Sequence, residues 1–488
     1  MDNLIKAFPA GFPVLSDGRH ALDRAALRQR VGQVRQALLA RVNPRGPVAI
    51  LADNSPEWLA VDLATQELEL TLVPLPLFFT PAQWVHALAQ GGTTALFCAH
   101  SAQAAALGFD TVIDYGGALL LCESAAPAGA PVLTGVQKIT FTSGTTSVPK
   151  GVCLSTGQQW EVAQALQRGI GALGLERHLC LLPFAVLLEN IAGAYTALLS
   201  AATIICPPLA ETGLDGASGF DPLVCLAAIE RYRPNSIILL PQMLKALVAA
   251  TAPDDPRLAS LRFVAVGGAR TSAHLIAAAR ERGFPVYEGY GLSECSSVVA
   301  LNLPGAERSG SVGRVLPHRA VRIADDGEIE VHGNLAHYLG QAPCADAWLA
   351  TGDLGHIDAD GFLYIDGRKK DVLITGFGRN VSPEWPETAL TGTGAVAQAV
   401  VVGDAMPYLI ALIVPTAADI GAAQIAHAVA LANRDLPDYA QVRRWIIAAP
   451  FTTANDQATA NGRPRRQIIH LHYARQIASL YDTTEQIA

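Results

Sequence analysis

Short apolar runs alternating with helix-like stretches constrain this chain more than any other feature. Pro47-Val48-Ala49-Ile50-Leu51, Leu72-Val73-Pro74-Leu75 and Ala95-Leu96-Phe97-Cys98 read as buried strands. Residues 21–41 and 58–67, set among them, have helical spacing and good helix formers. The alternation continues with strands over residues 236–240 and 262–266, each followed by a helical stretch. Parallel neighbours need crossover connections, usually helices, so this order predicts an α/β fold with mostly parallel sheets. From Val321 the texture changes. Val321-Arg322-Ile323, Glu328-Ile329-Glu330-Val331 and Gly361-Phe362-Leu363-Tyr364-Ile365 are short strands split by Asp/Gly turns, which predicts a small antiparallel β unit. An α+β segment runs from about Lys370 to the end.

At 488 residues the chain exceeds one ordinary domain. Half of it is hydrophobic and 16% charged, ample for large cores, and much of the apolar share is alanine. No stretch of about 18 apolar residues predicts a membrane span. Residues 1–20 lack a basic segment followed by an apolar core, so no secretory signal is expected and the cytoplasm is the default location. A net charge of -8 without a long basic run argues against broad nucleic-acid binding. Cys98, Cys122, Cys153, Cys180, Cys206, Cys225, Cys295 and Cys344 form no Cys-x-x-Cys pair. They read as reduced structural thiols rather than a zinc site or disulfide framework. His274, His332 and His337 stand outside every motif below and read as structural or surface residues.

The most informative stretch is Thr140-Phe141-Thr142-Ser143-Gly144-Thr145-Thr146-Ser147-Val148-Pro149-Lys150-Gly151-Val152. A strand-like run leads into hydroxyl residues and glycine, then a lysine. Such a loop can offer backbone N–H groups, hydroxyls and one cation to a polyphosphate. Its spacing is not that of G-x-x-x-x-G-K-[ST], and a plain Ser/Thr/Gly turn would account for part of it. Tyr287-Glu288-Gly289-Tyr290-Gly291-Leu292-Ser293-Glu294 combines an aromatic that can cover an adenine, a hydroxyl for a phosphate and a carboxylate for Mg²⁺. Gly267-Gly268-Ala269 follows a strand, and Thr351-Gly352-Asp353-Leu354-Gly355 and Asp366-Gly367-Arg368-Lys369-Lys370-Asp371 lie further on.

In this order the motifs resemble the adenylate-forming (AMP-binding) superfamily, nearest to its long-chain acyl-CoA synthetases. The resemblance implies that Thr142, Ser143, Gly144, Thr145, Thr146 and Lys150 form the phosphate loop. It places Gly268, Ala269, Glu288, Gly289, Tyr290, Gly291 and Ser293 around the adenine and α-phosphate, and Glu294 on Mg²⁺. Asp353 and Arg368 would meet the ribose, a task suited to an ionised carboxylate. It further implies an N-terminal ATP- and acid-binding domain, 1–369, and a small mobile C-terminal α+β domain, 370–488, hinged at Lys370. Gly378, within Gly376-Phe377-Gly378-Arg379-Asn380, would admit a pantetheine arm in a second half-reaction.

Three departures qualify the resemblance. Ser147 replaces a loop glycine, which stiffens the loop. Arg463, in Thr459-Ala460-Asn461-Gly462-Arg463, stands where the family has its adenylation lysine; it keeps the charge but changes the geometry, and retained adenylation with Arg463 stabilising charge is expected. Leu182-Pro183-Phe184-Ala185-Val186-Leu187-Leu188-Glu189 is similar to the long-chain stretch L-P-L-A-H-x-x-E, with Val186 for histidine. The pocket is expected along residues 181–190, near residues 267–270 and around Tyr290. These features imply an ATP- and Mg²⁺-dependent ligase taking a carboxylic acid, a fatty acid first and an aryl acid second. The acyl group would pass to CoA or to the phosphopantetheine of an acyl carrier protein. Two alternatives stay open: a non-catalytic AMP-binding regulator, and an adenylating enzyme without a thiol step.

Overall fold

The structure, a computed structural model, describes residues 2–41, 43, 45–124, 133–142, 149–216, 219–342, 348–376, 379–434, 436–459 and 462–482. Strands Val48–Leu51, Leu72–Pro74 and Ala95–Cys98 pair in parallel, with Lys138–Thr142 parallel to Leu72–Pro74. Every residue of Val48–Leu51 and Ala95–Cys98 is buried, as expected of strands covered on both faces. Antiparallel strands close the edges: Lys150–Leu154 and His337–Tyr338 on one side, Leu120–Ser124 and Phe109–Ile113 on the other. A second, nine-stranded sheet repeats this plan. Thr203–Ile205, Arg177–Leu179, Ser236–Leu239, Phe263–Val266 and Val286–Leu292 form its parallel centre, and Ser297–Leu301 turns back antiparallel. The expected parallel order therefore holds at the heart of both sheets and gives way at their edges. A core including Leu27, Ile50, Trp58, Phe97, Phe184 and Ile204 joins the two sheets.

The segment expected as one helix over residues 21–41 divides. Ala21–Leu22 is a short strand and the helix is Arg24–Leu39, because the Asp23 carboxylate accepts the N–H groups of Ala25 and Ala26 and caps it. The strand Lys138–Thr142, which leads into the hydroxyl-rich stretch, is anchored by Lys138. This fully buried lysine bonds Asp62 at 3.0 Å, Asn190 at 2.5 Å and the Tyr195 hydroxyl at 2.9 Å. A buried ammonium needs such partners, since desolvation opposes its charge.

The small β unit is antiparallel throughout, in the order Arg319–Ile323, Glu328–Gly333, Leu349–Ile357, Leu363–Arg368. The third of these was not foreseen. Thr351-Gly352-Asp353 reads as a turn in isolation yet lies inside that strand, where Gly352 takes φ +73°. Beyond it, Val396–Val402 pairs antiparallel with Leu409–Pro415, which pairs parallel with Val442–Ile447. Helices Glu384–Thr391, Ala422–Asn433 and Arg466–Asp482 complete a smaller C-terminal α+β unit with its own cores around Val401, Ile413, Ile425 and Ile410, Phe451, Ile469. No described helix is long and apolar enough to cross a membrane. The seven described cysteines are free and buried, and Cys344 lies outside the described residues.

Candidate active site

Lys138–Thr142 and Lys150–Leu154 form an antiparallel hairpin in which Thr142 faces Lys150. Ser143, Gly144, Thr145, Thr146 and Ser147, which follow Thr142 in the sequence, lie outside the described residues, as does Gly378. Tyr338 enters on the edge strand His337–Tyr338, opposite Val152. Its ring lies 5.7 Å from the Lys150 Nζ, and its hydroxyl donates to Glu294. Burial, then the Glu294 carboxylate, raises the phenol's pKa. One aromatic thus ties the loop lysine to the expected metal carboxylate, a link that no linear spacing announces.

Strand Val286–Leu292 carries Glu288, Gly289, Tyr290 and Gly291 and runs into the 3₁₀ turn Ser293–Cys295, which holds Ser293 and Glu294. Beside it, Phe263–Val266 ends at Gly267-Gly268-Ala269, with Gly268 at φ +82°. Both motifs sit at the carboxyl ends of parallel strands, where open α/β sheets bind ligands. Glu288 braces this corner while lining the cleft: its Oε1 accepts the Thr271 N–H at 3.1 Å. Burial pushes its carboxyl up to about 7, opposed by Thr271 and Arg270.

Asp353 and Arg368 face each other across paired strands. The Arg368 Nε lies 2.9 Å from Asp353 Oδ1, and its Nη1 donates to the Thr351 carbonyl at 3.1 Å. The Tyr290 hydroxyl donates to Asp353 Oδ2 at 2.6 Å. Burial raises the pKa of Asp353, while Arg368 and the tyrosine hydroxyl pull it down. Tyrosine, aspartate and arginine from three motifs therefore make one cluster.

Arg463 reaches this cluster from the C-terminal unit. Its Nη2 donates to the Gly268 carbonyl at 2.7 Å. Its own turn is closed by Thr459, whose N–H donates to the Arg463 carbonyl at 2.8 Å and whose hydroxyl accepts the Arg463 N–H at 3.1 Å. Burial lowers the guanidinium pKa, Arg368 adds to this, and Glu384 and Asp353 oppose it. Lys370 sits in the single 3₁₀ turn Lys369–Asp371 that leaves the small β unit. Lys369 is tied back there to Asp326 and Glu328, each at 2.6 Å.

Lys150, Gly268, Tyr290, Glu294, Tyr338, Asp353, Arg368, Lys370 and Arg463 open on one cleft of about 2590 Å³ between the two parts of the chain. Val186, Leu188, Ala192, Ala265, Val298 and Leu301 give part of it an apolar wall. Glu189 serves that wall from behind. Fully buried, it accepts the N–H groups of Leu181 at 3.1 Å and Leu182 at 2.9 Å, and bonds His178 at 2.8 Å. His178 in turn meets the Ser236 hydroxyl at 2.9 Å. The ligating atoms of His178, Cys180 and Glu189 are close enough for a metal, yet both ring nitrogens and both carboxylate oxygens are already engaged. Sequence reasoning missed Tyr338, His178 and Ser236, whose partners lie 44, 11 and 58 residues away.

The profile of the AMP-binding enzyme family matches residues 5–336, and that of the AMP-binding enzyme C-terminal domain matches residues 370–485. The long-chain-fatty-acid–CoA ligase FadD15 of Mycobacterium bovis is 34% identical over 252 residues, or 45% of this chain and 42% of that protein. The chain thus matches less than half the length of this relative. The indoleacetate–CoA ligase of Aromatoleum aromaticum is 30% identical over 427 residues, covering 78% of this chain and 80% of that protein. Among solved structures, the amide bond synthetase McbA from Marinactinospora thermotolerans superposes with a TM-score of 0.77 at 27% identity, over 96% of this chain and 98% of that one. The fold, the clustered motifs and the extent of these matches lead to one statement of kinship: the chain belongs to the AMP-binding enzyme family.

Proposed function

We propose that the chain is an ATP-dependent acid–thiol ligase that activates a hydrophobic carboxylic acid as its adenylate and then transfers the acyl group to CoA. The observation that carries this reading is the meeting of Lys150, Glu294, the Tyr290–Asp353–Arg368 cluster and Arg463 on one cleft. In this reading Asp353 and Arg368 hold the ribose, Tyr290 covers the adenine beside Gly268, Ala269, Gly289 and Gly291, and Ser293 meets the α-phosphate. Lys150 and residues 142–146 grip the outer phosphates. Glu294 suits Mg²⁺, because Tyr338 occupies one carboxylate oxygen and, among the described residues, no donor occupies the other. When bound, that ion would neutralise charge between phosphate oxygens.

The acid carboxylate attacks the α-phosphorus and pyrophosphate leaves. Arg463 offers its remaining donors to the charge that builds on the carboxylate and α-phosphate oxygens. The thiol sulfur then attacks the acyl carbon and AMP leaves. Division at residues 1–369 and 370–488, with Lys370 as hinge and Gly378 along the thiol's path, lets one C-terminal unit serve both steps.

A fatty acid is the first substrate class, supported by the apolar wall and by similarity to the mycobacterial long-chain ligase. An aryl acid is the second, favoured by the longer match to the indoleacetate ligase. A carrier-protein phosphopantetheine is an alternative thiol, and similarity to the amide bond synthetase favours an amine as an alternative acceptor. Acid-dependent pyrophosphate release from ATP, run over fatty and aryl acids with and without CoA, tests the reading. Release with one class and stimulation by CoA support it. ATP binding without release under any acid would replace it with the regulator reading.

A further inference from the structure

Helix Pro241–Ala250 follows the strand Ser236–Leu239 and flanks the cleft. Its Lys245 reaches out of the N-terminal part of the chain altogether. The Nζ donates to the Thr391 carbonyl at 2.9 Å and to the Val396 carbonyl at 2.6 Å, both in the C-terminal unit. Neither acceptor is incidental. Thr391 ends helix Glu384–Thr391, and a final-turn carbonyl has no partner within its own helix. Val396 opens the edge strand of its sheet, and because the Thr416 N–H donates to the Ala395 carbonyl, Val396 and Pro415 form a non-hydrogen-bonded pair that turns the Val396 carbonyl away from the sheet.

The turn that joins these acceptors packs close to the same face. A Cβ on Gly392 would come within 2.9 Å of the Ser272 hydroxyl, at the start of helix Ala273–Glu281. Burial of the ammonium between the two units pushes its pKa down to about 8. Across the same cleft, Arg463 leans the other way, onto Gly268.

From these contacts we infer that Lys245 is a latch: it holds the C-terminal unit in the orientation that seats Arg463 beside Gly268 and Asp353, and so positions Arg463 for adenylation without touching substrate. The inference rests on the ligase reading for its chemistry. A hinged unit that carries Arg463 away for the thiol step must also carry Thr391 and Val396 away from Lys245. The latch therefore belongs to one half-reaction only.

The test compares Lys245→Met, which keeps the stem and removes the donors, with Lys245→Arg and the parent protein. Decanoate and benzoate serve as acids for ATP–pyrophosphate exchange. Synthetic decanoyl- and benzoyl-adenylate with CoA report the second step. Losing two charge-assisted hydrogen bonds should lower exchange in Lys245→Met by about tenfold or more while thioester formation stays unchanged, and Lys245→Arg should restore most of the loss. Unchanged exchange, or an equal fall in both steps, would overturn the latch. If the parent exchanges with neither of these two acids, the ligase reading is left to the wider acid panel, and solution X-ray scattering decides the latch. A larger radius of gyration for Lys245→Met than for the parent supports it; superimposable profiles sink it.

Discussion

Arg463 exchanges the point charge of a lysine for a planar fork whose donors can be shared. One of them is held by the Gly268 carbonyl, so the guanidinium is oriented before any substrate arrives, and its other donors bond nothing among the described residues. Removing it should cost adenylation about 10²–10³-fold. We expect that loss in Arg463→Ala by pyrophosphate release, with transfer from a synthetic adenylate unaffected, while Arg463→Lys stays within about tenfold of the parent. A second residue yields a pH signature. The Glu288 carboxyl titrates at about 7 in the fold against an ordinary value of 4.5. Between those values the native state keeps a proton that the unfolded chain has lost. Its contribution is therefore complete below 4.5 and fades as pH rises through 7, with a slope approaching 1.4 kcal/mol per pH unit, about one proton's worth. Thermal melts of Glu288→Gln across this range should be flatter than those of the parent. Lys150, Glu294, Asp353 and Arg368 were legible as charged groups inside recognisable motifs. The inward turn of Glu288 onto Thr271 was not, because the same motif letters serve a ligand or a neighbouring N–H equally well.

Elements were easiest to read where both faces of a strand are covered. Val48–Leu51 and Ala95–Cys98 announce themselves as unbroken apolar runs, since every position is buried. Leu349–Ile357 hid because its alternating buried positions are Thr351, Asp353 and Gly355, none of them a large apolar residue, and because a left-handed glycine sits among them. The two-residue strand His337–Tyr338 is too short to leave any periodic trace, yet it delivers the hydroxyl that holds Glu294. Tyr338→Phe retains the ring beside Lys150 and frees the carboxylate. It should raise the Mg²⁺ concentration needed for half-maximal pyrophosphate release, and lower stability by only about 0.5–1.5 kcal/mol for one lost hydrogen bond. Titrating Mg²⁺ at fixed ATP reads the first effect; an unshifted midpoint would remove Tyr338 from the metal's surroundings.

The buried cores of the described residues fall into two groups, those built from residues up to Leu363 and those built from Val381 onward. Units with separate cores unfold separately unless their interface is strong. Calorimetry of the free protein should resolve two transitions, and a stable acyl-adenylate analogue, gripping both units, should draw them together. The alternation of strands and helices foretold the large sheets and the composition change foretold the β unit, but the docking of the C-terminal unit left no mark in the sequence. Lys245 and its acceptors are 146 and 151 residues apart, and any lysine on a helix looks alike in a linear reading. Between the two units Lys245 donates one way and Arg463 the other, and both cations land on main-chain oxygens. A peptide carbonyl survives almost any substitution of its own residue. Over generations, then, the receiving side of this joint is free to drift while the two donors are not. A C-terminal half borrowed from a distant cousin should find the same handholds waiting.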